Sequence, residues 1–196
     1  SLNSPYTSII FDKTIALKND CNIAFNHKPV LPMIMRGVAA TNAKGTYIFF
    51  DTKREGEFLG VPFGPINTPI GAPTRAAYAL LPWAYEQGKD EALMSSLLRA
   101  AWSENIALHK NSGMARAVKR AGLDWNEGRK QLKRDDWKQL IAEHQHEMVE
   151  GMGLWGVPSY RLSGPDGKPD LEVWGQDRLW LVAAEIKRRA GKAKGK

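Results

Sequence analysis

After Ser4-Pro5, the residues Ile9, Ile10, Thr14 and Leu17 recur at helical spacing, to about Asn19. A serine hydroxyl suits the cap of that helix, because it accepts an orphan N–H of the first turn, and proline suits the first helical position. From Asn22 to His27 the period becomes two. Ile23 and Phe25 fall on one side and Asn22, Ala24 and Asn26 on the other, which predicts a half-buried strand. Lys28-Pro29-Val30-Leu31-Pro32 ends it. Residues 33–43, with Gly37, read as an irregular connection. A helix is predicted from Lys44 to Leu59, stopped by Gly60-Val61-Pro62. Pro62, Gly64, Pro65, Pro69, Gly71 and Pro73 make residues 62–73 a loop with little regular hydrogen bonding.

Helical patterns follow at about 74–88, 90–107, 112–122, 125–133 and 135–151, separated by Gly88, Ser112-Gly113 and Gly122. The character then changes. Residues 157–162 and 171–174 read as two strands, joined through the turn signal Gly164-Pro165-Asp166-Gly167 into a hairpin. Gly175-Gln176-Asp177 precedes a helix from about Arg178 to Arg189, with Asp177 placed to cap it. There is no internal repeat. The order predicts an α/β chain, a thioredoxin-like sheet carrying a large all-helical insertion. Residues 1–32 and 153–190 form the thioredoxin-like domain, 33–152 the insertion and 191–196 a basic tail. The sheet needs a strand before the first helix. The chain opens at Ser1 without an initiator Met, so the expectation is that this first strand is truncated and that upstream residues are missing.

Composition changes this picture little. The 196 residues suit one domain with a subdomain, and 43% hydrophobic with 25% charged residues is a globular balance. The net charge of +7 suggests a nucleic-acid binder, but six of the basic residues lie in 187–196 and the rest is close to neutral. That end is read as a frayed, solvated tail, and no nucleic-acid partner is expected. A single cysteine, Cys21, excludes an intrachain disulfide and a thiol–disulfide redox pair; between a helix end and a strand it reads as a small apolar residue. No run approaches the roughly 18 apolar residues of a membrane helix, and no signal peptide is visible. The expected location is cytoplasmic, with no membrane partner.

Several apparent motifs fail on context. Gly151-Met152-Gly153-Leu154-Trp155-Gly156 matches GxGxxG, but a helix precedes it and a strand follows, the reverse of a dinucleotide site. His144 and His146 are two residues apart on a predicted helix and read as a solvated face, with no metal site. Three motifs survive. Ser4-Pro5-Tyr6-Thr7 opens a helix, where N–H groups and the helix dipole favour an anion; Ser4 is either a cap alone or also a donor to a bound thiolate. Gly156-Val157-Pro158 stands before a strand; a cis bond there would expose the Val157 backbone to an extended peptide, whereas a trans proline simply starts the strand. Gln176 and Asp177 either cap the last helix or hold a ligand ammonium.

Together, in this order and around a helical insert, these motifs resemble the 2-hydroxychromene-2-carboxylate isomerases and the kappa-class glutathione transferases, DsbA-related members of the thioredoxin superfamily. Ser4-Pro5-Tyr6 resembles their SPY/SPF signature, and Lys28-Pro29-Val30-Leu31 their strand end. Lys44, Tyr47, Asp51 and Arg54 resemble their K-x-x-Y-x-x-x-D-x-x-R helix. Residues 153–159 resemble their G-x-(aromatic)-G-V-P-(S/T), and 174–179 their (W/F)-G-(Q/N/S)-D-R-(L/M). The likeness spans residues 3–186. It implies glutathione as cofactor, with Ser4 facing the sulfur, Val157 before a cis Pro158 pairing with the cysteinyl backbone, and Gln176 and Asp177 holding the γ-glutamyl end. Asn67, in Pro65-Ile66-Asn67-Thr68, resembles a P-x-N-(S/T) binding element. Lys44 to Arg54 serves the glycyl carboxylate or the substrate, or else is a salt-bridged helix face. Met33, Met35, Tyr6 and Trp155 either line a slot for a flat aromatic or belong to the core. The implied activity is glutathione-dependent cis–trans isomerisation of a small aromatic electrophile by a homodimer. The alternatives are a kappa-type glutathione transferase or peroxidase, and a non-catalytic thioredoxin-fold domain.

Overall fold

Helix α1, Pro5–Cys21, begins where Ser4 accepts a hydrogen bond from the Thr7 N–H, and ends at Asn22 in the left-handed region. The Ile23 N–H then bonds the Lys18 carbonyl, closing the helix end and releasing the chain in a new direction. In this computed structural model, residues 1–38, 41–164 and 168–193 are described. A 3-10 turn, Met33–Arg36, leads to α2, Asn42–Leu59, capped by Thr41. The insertion follows as α3 (Ala72–Ala79), α4 (Leu81–Glu86), α5 (Asp90–Trp102), α6 (Asn111–Arg120), α7 (Trp125–Gln131) and α8 (Asp136–His146). α8 runs into a π-type turn, Glu147–Gly151. Strands β1 (Ser159–Leu162) and β2 (Leu171–Trp174) pair antiparallel, with Ser159 opposite Trp174 and Leu162 opposite Leu171. The turn expected at Gly164–Gly167 lies largely outside the described residues. A 3-10 turn, Gln176–Arg178, opens into α9, Leu179–Ala193.

Three expectations are corrected. The helix predicted over 74–88 is two helices, because Pro82 near the start of α4 has no N–H to continue the α3 ladder. The helix predicted over 90–107 ends at Trp102, where the proline-rich loop binds back onto it. The N–H groups of Gly64 and Asn67 cap the Trp102 and Ala101 carbonyls at 2.6 and 2.7 Å. The loop is thus docked by α5's orphan carbonyls. The basic end is not frayed from residue 187. α9 continues to Ala193, with Glu185 holding Arg188 and Arg189; residues 194–196 lie outside the described residues.

The strand predicted from Asn22 to His27 shows the alternation it should: Ile23, Phe25 and His27 are half-buried, and Ala24 and Asn26 are exposed. It is extended but belongs to no ladder among the described residues. The reason is a missing hydrogen-bonding neighbour, not a wrong pattern.

The core is built by the insertion on the inner face of α1. Leu80, Leu81, Leu93, Leu97 and Val118 are wholly buried there. Buried Tyr78 ties three segments together: its hydroxyl accepts from the Leu2 N–H at 3.0 Å and donates to the Val30 carbonyl at 2.9 Å. Trp102 donates through Nε1 to the Leu2 carbonyl at 2.9 Å. These bonds fix the few residues before α1, and so the position of Ser4. No helix among the described residues is long and apolar enough to cross a membrane.

Candidate functional site

Ser4 is 8% exposed and holds an extended backbone, so its side chain turns toward the start of α1. Its Oγ accepts from the Thr7 N–H at 3.1 Å and donates to the Val157 carbonyl at 3.4 Å. The Val157–Pro158 peptide bond is cis, as is Gly64–Pro65. The chain reaches Val157 by a tight route. Gly156 lies flat against Trp174, where a Cβ would collide with the indole, and Ser159 Oγ donates to the Gly156 carbonyl at 2.7 Å. The Gly175 N–H bonds the Pro158 carbonyl at 2.9 Å, locking this bend to the end of β2. Neither the Tyr6 N–H nor the Val157 N–H has a partner among the described residues. One hydroxyl and two N–H groups without a partner among the described residues therefore lie close together at the positive end of a 17-residue helix. Such a place can stabilise an anionic sulfur and pair with a short extended peptide.

Helix α2 forms the rim. Asp51 and Glu55, one turn apart, look toward α1 and the 3-10 turn before α9. The Tyr6 hydroxyl donates to Asp51 at 2.8 Å. Burial, and then the bond to Asp51, push the phenol far above its ordinary range, so it stays protonated. Gln176 Nε2 donates to Glu55 at 2.9 Å. Desolvation raises the Glu55 carboxyl, the Gln176 bond counters it, and the Asp51 and Asp177 charges raise it further. On the other side, Lys44 Nζ stands 5.3 Å from the centre of the Trp155 ring, and Trp155 packs on Trp174 at 4.6 Å. Arg36 holds the Trp155 carbonyl at 3.0 Å.

Ser4, Val157 and Pro158 thus meet, with Gln176 and Asp177 on the α2 rim and Trp155 and Lys44 stacked together beside them. Asn67 is placed differently. Its carboxamide donates to Asn105 at 3.2 Å, and no hydrogen bond joins it to Ser4, Val157 or Gln176. Asp177 does not cap the last helix. It sits inside the 3-10 turn, and its carboxylate pairs with Arg178 at 2.6 Å at the surface. Neither Lys44 nor Arg54 forms an ion pair among the described residues, so the salt-bridged face is not found. Trp155 is 43% exposed, and Met33, Met35 and Tyr6 are half-buried, so none of them is core. His144 is not a solvated residue: its Nδ1 lies 2.9 Å from the Pro29 carbonyl. No group of three or more metal-ligating side chains occurs among the described residues. Glu55 escaped the sequence reading, although its place one turn after Asp51 marks it for the same face. Arg36, which anchors Trp155 from a turn that looked irregular, carried no sequence signal.

The family model described as DSBA-like thioredoxin domain matches residues 1–187. No curated protein matches the sequence. Among solved structures, 2-hydroxychromene-2-carboxylate isomerase superposes with a TM-score of 0.78 at 18% identity, covering 99% of this chain and 95% of that one. A protein described as a probable DsbA oxidoreductase from Streptomyces coelicolor superposes with a TM-score of 0.64 at 17% identity, covering 97% and 86%. At these identities the likeness speaks for the fold alone.

Proposed function

We propose that this chain, which belongs to the DsbA-like thioredoxin domain family, binds glutathione at Ser4 and isomerises a flat, conjugated aromatic substrate between cis and trans forms. The observation that carries this reading is the meeting of the Ser4 hydroxyl with the Val157 carbonyl, 153 residues away, beside two unpaired N–H groups. The residues present suit the tripeptide. Ser4 and the Tyr6 N–H suit its sulfur, and the free Val157 N–H suits its cysteinyl carbonyl. Gln176, Asp177 and the neighbouring Glu55 suit the ammonium of its γ-glutamyl end. Lys44 suits its glycyl carboxylate. Asn67, held by Asn105, is left out of this set. The superposition with an isomerase supports the fold on which this assignment is built.

Glutathione held by Ser4, Val157, Gln176 and Lys44 would supply a thiolate nucleophile for reversible addition to a conjugated carbonyl system, which is the chemistry a cis–trans isomerisation needs. Ser4 would serve by donating its hydroxyl hydrogen bond to the sulfur anion in place of the Val157 carbonyl. A charge-assisted hydrogen bond contributes roughly 1.5–3 kcal/mol. At 1.36 kcal/mol per pKa unit, that lowers a bound thiol by about one to two units. Tyr6, kept protonated, offers no competing anion and ties Asp51 of α2 to α1. Trp155 and Trp174 offer an apolar wall to a planar substrate.

The test is ultraviolet titration of the bound thiolate in the parent protein and in Ser4→Ala, with calorimetry for affinity. The expected result is binding in the millimolar range or tighter, with a thiol about one to two units below free glutathione in the parent only. No heat at millimolar glutathione would overturn the reading. Glutathione consumed one-for-one with product would replace isomerisation by transfer.

A further inference from the structure

A groove of about 460 Å³ between α3 and α8 shares no lining residue with the glutathione site. Along α8 its lining falls in pairs one turn apart, residues 137–138, 141–142 and 145–146, and it continues to Val149 and Glu150 of the π-type turn. The groove therefore follows the helix for about three turns, roughly 16 Å at 1.5 Å per residue. Its floor is apolar. Trp137 and Ile141 are buried, and Leu31 and Val149 join them.

Two groups along this floor lack the partner their chemistry asks for. Arg75, exposed on α3, lines the groove and forms no hydrogen bond or ion pair among the described residues. The indole of Trp137 is 7% exposed, and its Nε1 donor also has no partner there. That nitrogen is not among the polar atoms sealed inside the protein, so a molecule in the groove can reach it. A buried indole N–H ordinarily finds an acceptor. The other charges are accounted for. Lys138 is neutralised by Asp135 at 2.7 Å. Glu150 is the one acid in the lining among the described residues, and it makes no ion pair with Arg75.

We propose that this groove binds a small linear carboxylate, with its apolar chain laid along α8 and its head on Arg75. A guanidinium without a counter-ion pairs best with the two oxygens of a carboxylate. The Trp137 N–H is a donor only, so it favours the same acceptor-bearing head. An apolar floor three turns long gains from a chain along its whole length, whereas a single ring would cover about one turn. A cationic or uncharged head would leave Arg75 unpaired. The site is independent of the glutathione reading, because no side chain serves both.

The experiment titrates octanoate, below the concentration at which it forms micelles and without glutathione, by calorimetry and by nitrogen–proton NMR of the tryptophan side chains. The expected result is submillimolar binding that moves the Trp137 indole resonance, identified as the one missing from Trp137→Phe. Arg75→Gln should weaken binding about tenfold, the loss of one charge-assisted contact. Ala142→Phe places a ring in the groove from an exposed helix position and should abolish binding without lowering the melting temperature. Octanol and octylammonium should bind at least tenfold more weakly than octanoate. No heat at millimolar octanoate would overturn the proposal. Octanol binding as tightly would reduce the groove to an apolar surface, and an unchanged affinity in Arg75→Gln would remove the head contact. Binding that persists in Ala142→Phe would place the chain elsewhere on the protein.

Discussion

Ser4 does two jobs that substitutions can separate. It caps α1 and it aims a proton donor at the crevice. Replacing a serine cap by alanine costs about 1 kcal/mol, whereas glycine costs only a few tenths. Ser4→Gly should therefore melt close to the parent in a urea titration and yet lose the thiol effect as fully as Ser4→Ala. If Ser4→Gly keeps the thiolate signal, the hydroxyl is a cap and nothing more. Gly156 is a second decisive residue. Any Cβ there meets the Trp174 indole, against which Trp155 packs at a tilt. Gly156→Ala should cost roughly 1–3 kcal/mol by overpacking and disturb Trp155, read as a shift in tryptophan emission together with a lower urea midpoint. The cap at Ser4 was legible from two adjacent residues. The need for glycine at 156 was not, since its collision partner lies 18 positions on.

Helix α2 shows what an element adds to its residues. Its span was readable from Lys44 to the Gly60-Val61-Pro62 stop, because breakers act within a turn, while the Thr41 cap that starts it at Asn42 came only from the structure. Its role was not, for the helix exposes Tyr47, Phe50 and Phe58 while turning Lys44, Asp51 and Glu55 to the site. Lys44→Met should cost under 1 kcal/mol of stability, as an exposed cation over an aromatic ring contributes about 0.5–1 kcal/mol. The same variant should weaken glutathione severalfold by calorimetry; affinity equal to the parent's would remove Lys44 from the site. The segment from Ile23 to His27 is the converse case. Its alternation was readable, but strand pairing is a property of two segments, and among the described residues no second segment pairs with it.

Across the whole molecule, two histidines couple stability to pH. The half-buried His27 packs edge-on against Phe11, with Phe25 stacked at 6.5 Å and Asp90 at 3.8 Å. His144 binds the Pro29 carbonyl beside Lys28 and Glu147. Burial is the chief cause that holds both below the ordinary histidine value of 6.5; Asp90 and the Pro29 carbonyl respectively oppose it. The unfolded chain thus binds more protons than the folded one as pH falls past 6.5. The stability associated with the neutral rings is complete above that value and is lost below it. Urea midpoints should fall from pH 7.5 to 5.5, ahead of the loss of carboxylate pairs such as Lys28–Glu147 at lower pH. His27→Phe should flatten that slope; a slope equal to the parent's would place the titration elsewhere.

Sequence alone determined where most helices and the hairpin lie, though not the break at Pro82 or the end of α5, and it marked Ser4, Val157-Pro158 and Gln176-Asp177 as candidates, since caps, breakers and periodicity act over a few residues. Tertiary structure decided that Ser4 meets Val157, that Tyr6 meets Asp51 and that Gln176 meets Glu55, at separations of 153, 45 and 121 residues. It also docked Asn67 on the end of α5, away from the serine. The reason is that these meetings depend on how the Tyr78-centred core fixes one segment against another, and chain spacing carries no record of that distance.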